Sequence, residues 1–539
     1  MVSLTELPPE VIHNVLQYVD PGDLAFVPRV CYALRNSVRG NSMLFKHVYL
    51  AHFDTPARNR NNVDWEQNLK DLVRLQMVCH QTDIQTKRSE LAFVHDTVTE
   101  ALRNACVDGE RATSSTTHVY SRNAALFAKL FSTYDNQHTF LERSFLYERA
   151  RAELPHAGTF SSPPKKEHQM SAKLHCLYGV PLLYVQRSPH ETRQGKMSPF
   201  ACSKVYDIRQ YTPLTRWGPF MDDGSDRVDW EKVEAILLVL GANLKSLGLN
   251  SFPICQNFWD TPFAGVWPGS YLPLPLDEEE EEAIEQNPLD LQDPYGVTGT
   301  WLRVVCFLDY TDFFDFNFSG AQATSPNIPR RAIEYGEATR LILMRITIDR
   351  IEPPGPEDGQ DLPVVHFKGV SRSLDDSGDE NANSDLTGEI NAKVVETGTV
   401  RLTPEGEVRW TTFSIFNGQE RWRSESVQVG GVKSAKGVLG NWFDKDFDPR
   451  GPTGPTAFWK ISERSSGHTA KQRDLLYPGG VFTDNPNYDP DYESADDLDA
   501  GSEEGSDDDD EEEEEDEVNI EIELLVGSGV QIADAQSSL

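Results

Sequence analysis

Val408-Arg-Trp-Thr-Thr-Phe-Ser-Ile-Phe416, then Asn417-Gly418, then Glu420-Arg-Trp-Arg-Ser-Glu-Ser-Val-Gln-Val429 is the stretch that decides the fold of the C-terminal half. Two β-rich runs meet at Asn-Gly, the dipeptide that accepts the positive φ of a tight hairpin turn. Upstream, Thr399 to Leu402 joins Glu407 onward through Pro404-Glu405-Gly406, which extends the hairpin into an antiparallel meander. Thr300–Phe318, Arg340–Ile351 and Val364–Val370 read as further strands. Five or more strands with alternation and short turns predict an antiparallel barrel or sandwich over residues 296–462. On the hairpin, Trp410 and Trp422 point to one face of each strand while the flanking Arg409, Arg421 and Arg423 point to the other. Two arrangements follow. One face is a binding surface with aromatic anchors and Arg forks for carboxylate or phosphate, or the Trp layer is core and the Arg layer is solvated.

Moving toward the N-terminus, residues 166–295 are mixed α/β with an acidic loop, Asp277 to Glu282. Within them, Asp229 can cap a helix whose stripe is Val233, Ile236, Leu237, Leu240 and Leu244. Residues 56–165 read as a helical linker domain, with 3.6-type spacing in Trp65 to Val78, Leu91 to Cys106, Ala124 to Phe131 and Phe140 to Leu154. Residues 1–55 pattern as three short helices. Val11, Ile12, Val15, Leu16 and Val19 form the first stripe, Leu24, Val27, Val30, Cys31 and Leu34 the second, and Leu44, Phe45 and Val48 the third. So small a core gains much from packing against something else.

The chain has 539 residues and a net charge of −36. Asp484 to Leu539 holds 23 acidic residues and no Lys or Arg, so the charge over residues 1–483 is only −13. That predicts a disordered acidic tail over 463–539. The field it carries repels phosphate backbones, which argues against nucleic acid as a partner. No apolar run is long enough for a membrane span. Seven scattered cysteines without a CxxC pair read as reduced thiols, and the start of the chain lacks a signal peptide pattern, which together predict a soluble protein of the cytoplasm or nucleus.

Catalytic and metal patterns are weak. Asp444-Lys-Asp446-Phe-Asp448 has calcium-loop spacing, but Pro449 and Pro455 stand where the turn Gly and bidentate Glu belong. His168, His175 and Cys176 are near in sequence without the spacing of a four-ligand site. No nucleophile elbow, zincin or phosphate-loop motif occurs, so no catalytic residue, metal or cofactor is expected.

Leu7-Pro8-x-Glu10, Ile12, Leu16, Val19, Asp23-Leu24, Val27, Val30-Cys31 and Leu44-Phe45 together resemble an F-box, the module that docks on Skp1 in SCF-type ubiquitin ligases. Leu34 stands where an aromatic is common and Phe45 replaces a frequent Trp. The resemblance implies Skp1 contacts from Leu7, Pro8, Ile12, Leu16, Leu24, Val27, Val30, Cys31, Leu44 and Phe45. Met170 to Tyr178, Val205-Tyr-Asp207, Trp217 to Phe220, Asp229 to Glu234 and Gly451 to Trp459 are similar to fungal F-box-domain proteins. Gly299-Thr-Trp301 resembles the Gly-x-Trp start of a calycin-type barrel, which implies that Trp301 plugs the closed end.

The fold expected is α+β and multidomain: F-box, helical linker, C-terminal antiparallel β-domain, acidic tail. The function implied is that of a non-catalytic substrate adaptor, with a Skp1-like protein as direct partner, cullin and RING subunit bound through it, and a protein target on the β-domain. A Skp1-binding scaffold outside a ligase, or a small-molecule-binding barrel with an appended F-box, are the alternatives.

Overall fold

Proline and short polar caps set the first helices of the computed structural model. It describes residues 7–463 apart from 57–62, 104, 107–120, 153–165, 180–192, 247–258, 260, 272–287, 320–329, 334, 374–394 and 417–418. The tail after residue 463, the acidic run 277–282, most of the acidic stretch 371–390 and the Asn417-Gly418 turn therefore lie outside the described residues. Helix α1 (Pro9–Leu16) opens on Pro9, where a missing N–H costs nothing. The second stripe is not one helix but three, α2 (Pro21–Leu24), α3 (Val27–Val30) and α4 (Tyr32–Val38). Pro28 sits in the first turn of α3, and Cys31 is extended at φ −157° and ψ 169°, so the chain breaks on both sides of α3. Helix α5 (Ser42–His52) is capped by Asn41, whose Oδ1 accepts from Leu44 N at 3.1 Å.

Helices α6 (Trp65–His80), α7 (Ile84–Ser89), α8 (Leu91–Arg103), α9 (Arg122–Leu130), α10 (Tyr134–Asn136), α11 (Phe145–Ala152), α12 (Lys166–Tyr178) and α13 (Arg193–Val205) follow. Asp54 ties the N-terminal unit to them. Its buried carboxylate accepts from Ser121 Oγ at 2.5 Å and Arg122 N at 2.9 Å, while Arg122 Nη1 donates to the carbonyls of Leu50 and Ala51. The helix that Asp229 caps is α14 (Trp230–Ser246), buried on nearly every side. A helix apolar all round must be sandwiched. It packs on α12 and α13 and, on its far side, on three barrel strands.

Those strands belong to a closed eight-stranded antiparallel barrel of β1 (Gly299–Leu308), β2 (Glu337–Glu352), β3 (Val364–Ser373), β4 (Val395–Leu402), β5 (Val408–Phe416), β6 (Gln419–Gln428), β7 (Val438–Asp444) and β8 (Thr453–Ser462). Neighbours in sequence are neighbours in the sheet, and β8 returns to pair with β1 through Thr456↔Val305 and Phe458↔Arg303. Closure removes the edges and decides for barrel over sandwich. It also demands close strand approach. A Cβ on inward-facing Gly398 would lie 2.1 Å from the Thr411 carbonyl, and one on Gly440 2.1 Å from that of Glu425.

The barrel interior is divided along its axis. At one end Trp301, Trp410 and Phe458 meet edge to face with centroids 5.1–5.8 Å apart. Trp301 Nε1 donates to Val297 O and Trp410 Nε1 to Gln428 Oε1, so both indoles are satisfied in the stopper. Tyr295 and Val297 cover that end, and Lys460 Nζ donates to Gly296 O. Toward the other end the inward residues turn small and polar: Thr412, Ser424, Ser426 and Thr456, with buried Arg303 donating from Nε to Thr456 Oγ1. A second apolar core runs without interruption from Ile12 through the helices to the outer face of the barrel at Leu302, Leu439 and Trp459.

One sequence expectation fails here. Thr300–Phe318 is not a single strand: β1 ends at Leu308 and helix α15 (Tyr310–Phe318) follows. Asp309 Oδ1 accepts from Thr311 N at 2.8 Å and caps it. Phe313, Phe316 and Asn317, spaced three and four apart, then bury one face. The aromatic-rich sequence had masked that period.

Candidate docking surfaces

The N-terminal helices divide their apolar residues between their own core and the outside. Ile12, Leu16, Leu24, Leu44 and Phe45 are buried within the chain. Leu7, Val27 and Cys31 are half-buried against the same core, whereas Pro8 is exposed and Val30 is 72% exposed. Of the ten residues expected to face a partner, five already pack inward. Further exposed apolar side chains lie outside that set: Val11, Val15, Tyr18, Phe26, Tyr32 and Met43. Val11, Val15 and Tyr18 stand at i, i+4 and i+7 on α1 and the turn after it, a second stripe beside Ile12, Leu16 and Val19. That spacing is readable in sequence, but nothing in it tells which stripe is covered. Behind the surface, Asn41 Nδ2 lies 3.4 Å from His13 Nδ1, and His13 Nε2 2.9 Å from His47 Nδ1, which fixes α1 against α5.

On the barrel the five candidate side chains separate. Trp410 is wholly inside the stopper. Arg409 lies outside the wall, forked on Glu425 at 2.8 and 2.9 Å, with Asp226 at 4.0 Å and the Phe220 ring at 5.4 Å. The loop that brings Asp226 and Phe220 covers this arginine, so it is neither solvated nor on offer. The remaining three gather at the end opposite Trp301. Trp422 is half-buried there, edge-on to Trp442 at 5.2 Å, and Trp442 Nε1 donates to Cys306 O at 3.0 Å. A register shift between Ser414 and Ile415 inserts Arg421 as an extra residue, and its guanidinium lies 5.4 Å from the Trp422 ring. Arg423 sits 5.0 Å from the rings of both Phe413 and Phe447, and its fork holds Glu420.

Phe447 is 40% exposed and has φ +56°, an uncommon backbone state for an aromatic residue. It belongs to the β7–β8 turn, where Asp444 Oδ1 accepts from Asp446 N and Asp448 Oδ1 from Arg450 N. The calcium-like spacing thus serves turn amides. Similarly, His175 is buried beside Glu234, with Nδ1 2.6 Å from Oε1, on the α12–α14 contact. Among the described residues no His, Cys, Asp and Glu group could hold a metal ion, and no helix is long and apolar enough to cross a membrane.

Residues 4–46 match the family model of the F-box domain. The chain carries an F-box. No curated protein and no solved structure matches it. F-box domains bind Skp1 in SCF-type ubiquitin ligases. The F-box here leaves several large apolar side chains exposed. About 800 Å² per partner is the ordinary size of a stable interface. Val11, Val15, Tyr18 and Tyr32 are exposed and stand outside the contact set expected from sequence, whereas exposed Val30 belongs to it.

Proposed function

We propose that the chain is a substrate-recognition adaptor of an SCF-type E3 ubiquitin ligase, acting in the cytoplasm or nucleus. The F-box holds a Skp1-like protein through Val11, Val15, Tyr18, Val30 and their neighbours, and cullin and RING subunit follow through Skp1. The barrel end opposite Trp301, at Arg421, Trp422, Arg423 and Trp442, holds the target. In this reading the RING-bound E2 does the chemistry, and the chain contributes proximity and effective concentration.

The observation that carries the reading is the F-box match with its exposed apolar surface. A second observation supports it: the apolar core is continuous from Ile12 to Trp459, so the docking helices and the barrel are held as one body. A receptor that must present a target at a set distance needs such a joint. The test is co-purification of full-length chain and its Tyr18→Asp/Val30→Asp variant, read for Skp1 and cullin. The adaptor reading expects both with the wild type and neither with the variant. Skp1 without cullin contradicts it and favours a scaffold outside the ligase.

A further inference from the structure

The F-box is the basic pole of an acidic chain. From Leu24 to Phe53 it holds Arg29, Arg35, Arg39 and Lys46 and no Asp or Glu, while the whole chain has a net charge of −36. The three arginines are exposed on α3 and α4, beside exposed Phe26, Val30 and Tyr32. Tyr32, Arg35 and Arg39 stand at i, i+3 and i+7, on one side of α4 and its C-terminal end. Arg35 Nε donates to Pro28 O at 3.1 Å, which continues that side onto α3, and the Arg29 guanidinium lies 5.2 Å from the Phe26 ring. None of the three arginines has a carboxylate partner among the described residues. Cations and large apolar groups left together in water make a face that suits an acidic, partly apolar segment.

The chain itself supplies such a segment. Asp507 to Glu517 is an unbroken run of eleven acidic residues. Directly after it, Val518, Ile520, Ile522 and Leu524 alternate with Asn519, Glu521 and Glu523. Carboxylates alone need no cover, but this alternation puts the apolar side chains on one side of an extended segment. Reach is sufficient. Glu463 is the last described residue, and Asp507 follows it by 44 positions. A coil of that length averages about 33–40 Å from end to end. Such a tether holds a segment at roughly millimolar local concentration.

We infer that residues 507–526 dock on the α3–α4 face of the F-box, with carboxylates on Arg29, Arg35 and Arg39 and apolar side chains on Phe26, Val30 and Tyr32. Val30 is also one of the residues proposed to hold Skp1. The segment therefore competes with Skp1 for the F-box, a consequence that rests on the adaptor reading. Being a contact between exposed charges, it weakens with salt.

The test vacates the face in the full-length chain by replacing each Asp and Glu from 507 to 517 with Asn or Gln. A fluorescent peptide of the natural 507–526 sequence is then added at about 50 and 500 mM salt. The peptide should bind at low salt and be released at high salt. Arg29→Gln/Arg35→Gln/Arg39→Gln in the chain should weaken it at least tenfold, and Val518→Ser/Ile520→Ser/Ile522→Ser in the peptide should weaken it as well. An unchanged melting temperature establishes that the arginine variant folds. If it melts early, Arg29→Gln/Arg39→Gln, which keeps the bond to Pro28, takes its place. No binding, or equal binding with and without the arginines, overturns the inference. Skp1 affinity is the second readout. At low salt the vacated chain should bind Skp1 about tenfold tighter than wild type, and in the arginine background vacating the tail should change nothing. A gain of equal size in both backgrounds would mean general repulsion by the tail and overturn the docking. If Skp1 binds none of the chains while the peptide effects hold, the adaptor reading fails and the docking stands.

Discussion

Lys173 Nζ on α12 reaches Glu407 Oε1 on the barrel at 3.0 Å, with both side chains nearly buried. Arg103 of α8 meets the same oxygen at 2.8 Å. Burial alone would raise the Glu407 carboxyl, but the two cations outweigh it and hold it below its ordinary value. One carboxylate thus joins two helices to the head of β5. Removing it leaves Lys173 buried without its partner. Glu407→Gln is expected to cost about 2–4 kcal/mol, measured by urea unfolding, and Lys173→Met in the same chain should recover part of the loss.

Glu231 offers a pH test of the helical core. Burial pushes its carboxyl up to about 7 against the pull of Lys204, and Oε1 accepts from Phe145 N at 2.8 Å. A raised carboxyl supplies its stability below the ordinary carboxylate range and loses it as pH rises toward 7. Glu231→Gln keeps the acceptor and removes the titration. It should match wild type near pH 4.5 and be more stable by about 1–3 kcal/mol at pH 8. Thermal melts across that range decide it, and a gap that stays constant with pH would refute the assignment.

The two ends of the barrel should respond differently to truncation. Trp410 is fully buried among Trp301, Phe367 and Phe458, so Trp410→Ala is expected to cost about 3–5 kcal/mol. Half-buried Trp422 at the end opposite Trp301 should cost far less. Chemical denaturation of the two variants gives the comparison, and equal losses would mean that this end is as much core as the stopper.

Gly398 marks a point where strand closure admits no side chain. An added Cβ would lie 2.1 Å from the Thr411 carbonyl and 2.6 Å from the Phe367 ring. Gly398→Ala should therefore destabilise by about 1–3 kcal/mol, seen as a lowered melting temperature.

What was legible in the sequence was period and turn chemistry. The strand pair on either side of Asn417-Gly418, the meander and the helix capped by Asp229 all rest on local signals, and each pair and helix forms where those signals stand. Helix α15 was hidden because Tyr and Phe favour strands and its only clear helical sign is the Asp309 cap. How the F-box stripes divide between core and surface was not legible for a different reason. Val11 and Ile12 are equally apolar, and only tertiary packing decides that Ile12 turns inward and Val11 out. Arg409 was beyond reach altogether, since Asp226, almost two hundred residues earlier, arrives beside it only through the fold.

The central claim is that the F-box docks through its exposed stripe and folds through its buried one. The direct measurement is the affinity of purified Skp1 for full-length wild type, Tyr18→Asp/Val30→Asp and Ile12→Asp, with circular dichroism of each. The account predicts that the surface pair keeps its helix content and melting temperature but loses Skp1 binding by at least a hundredfold. It predicts that Ile12→Asp loses binding together with the fold of the N-terminal helices, because Ile12 is already buried. Wild-type affinity in the folded surface variant would contradict it.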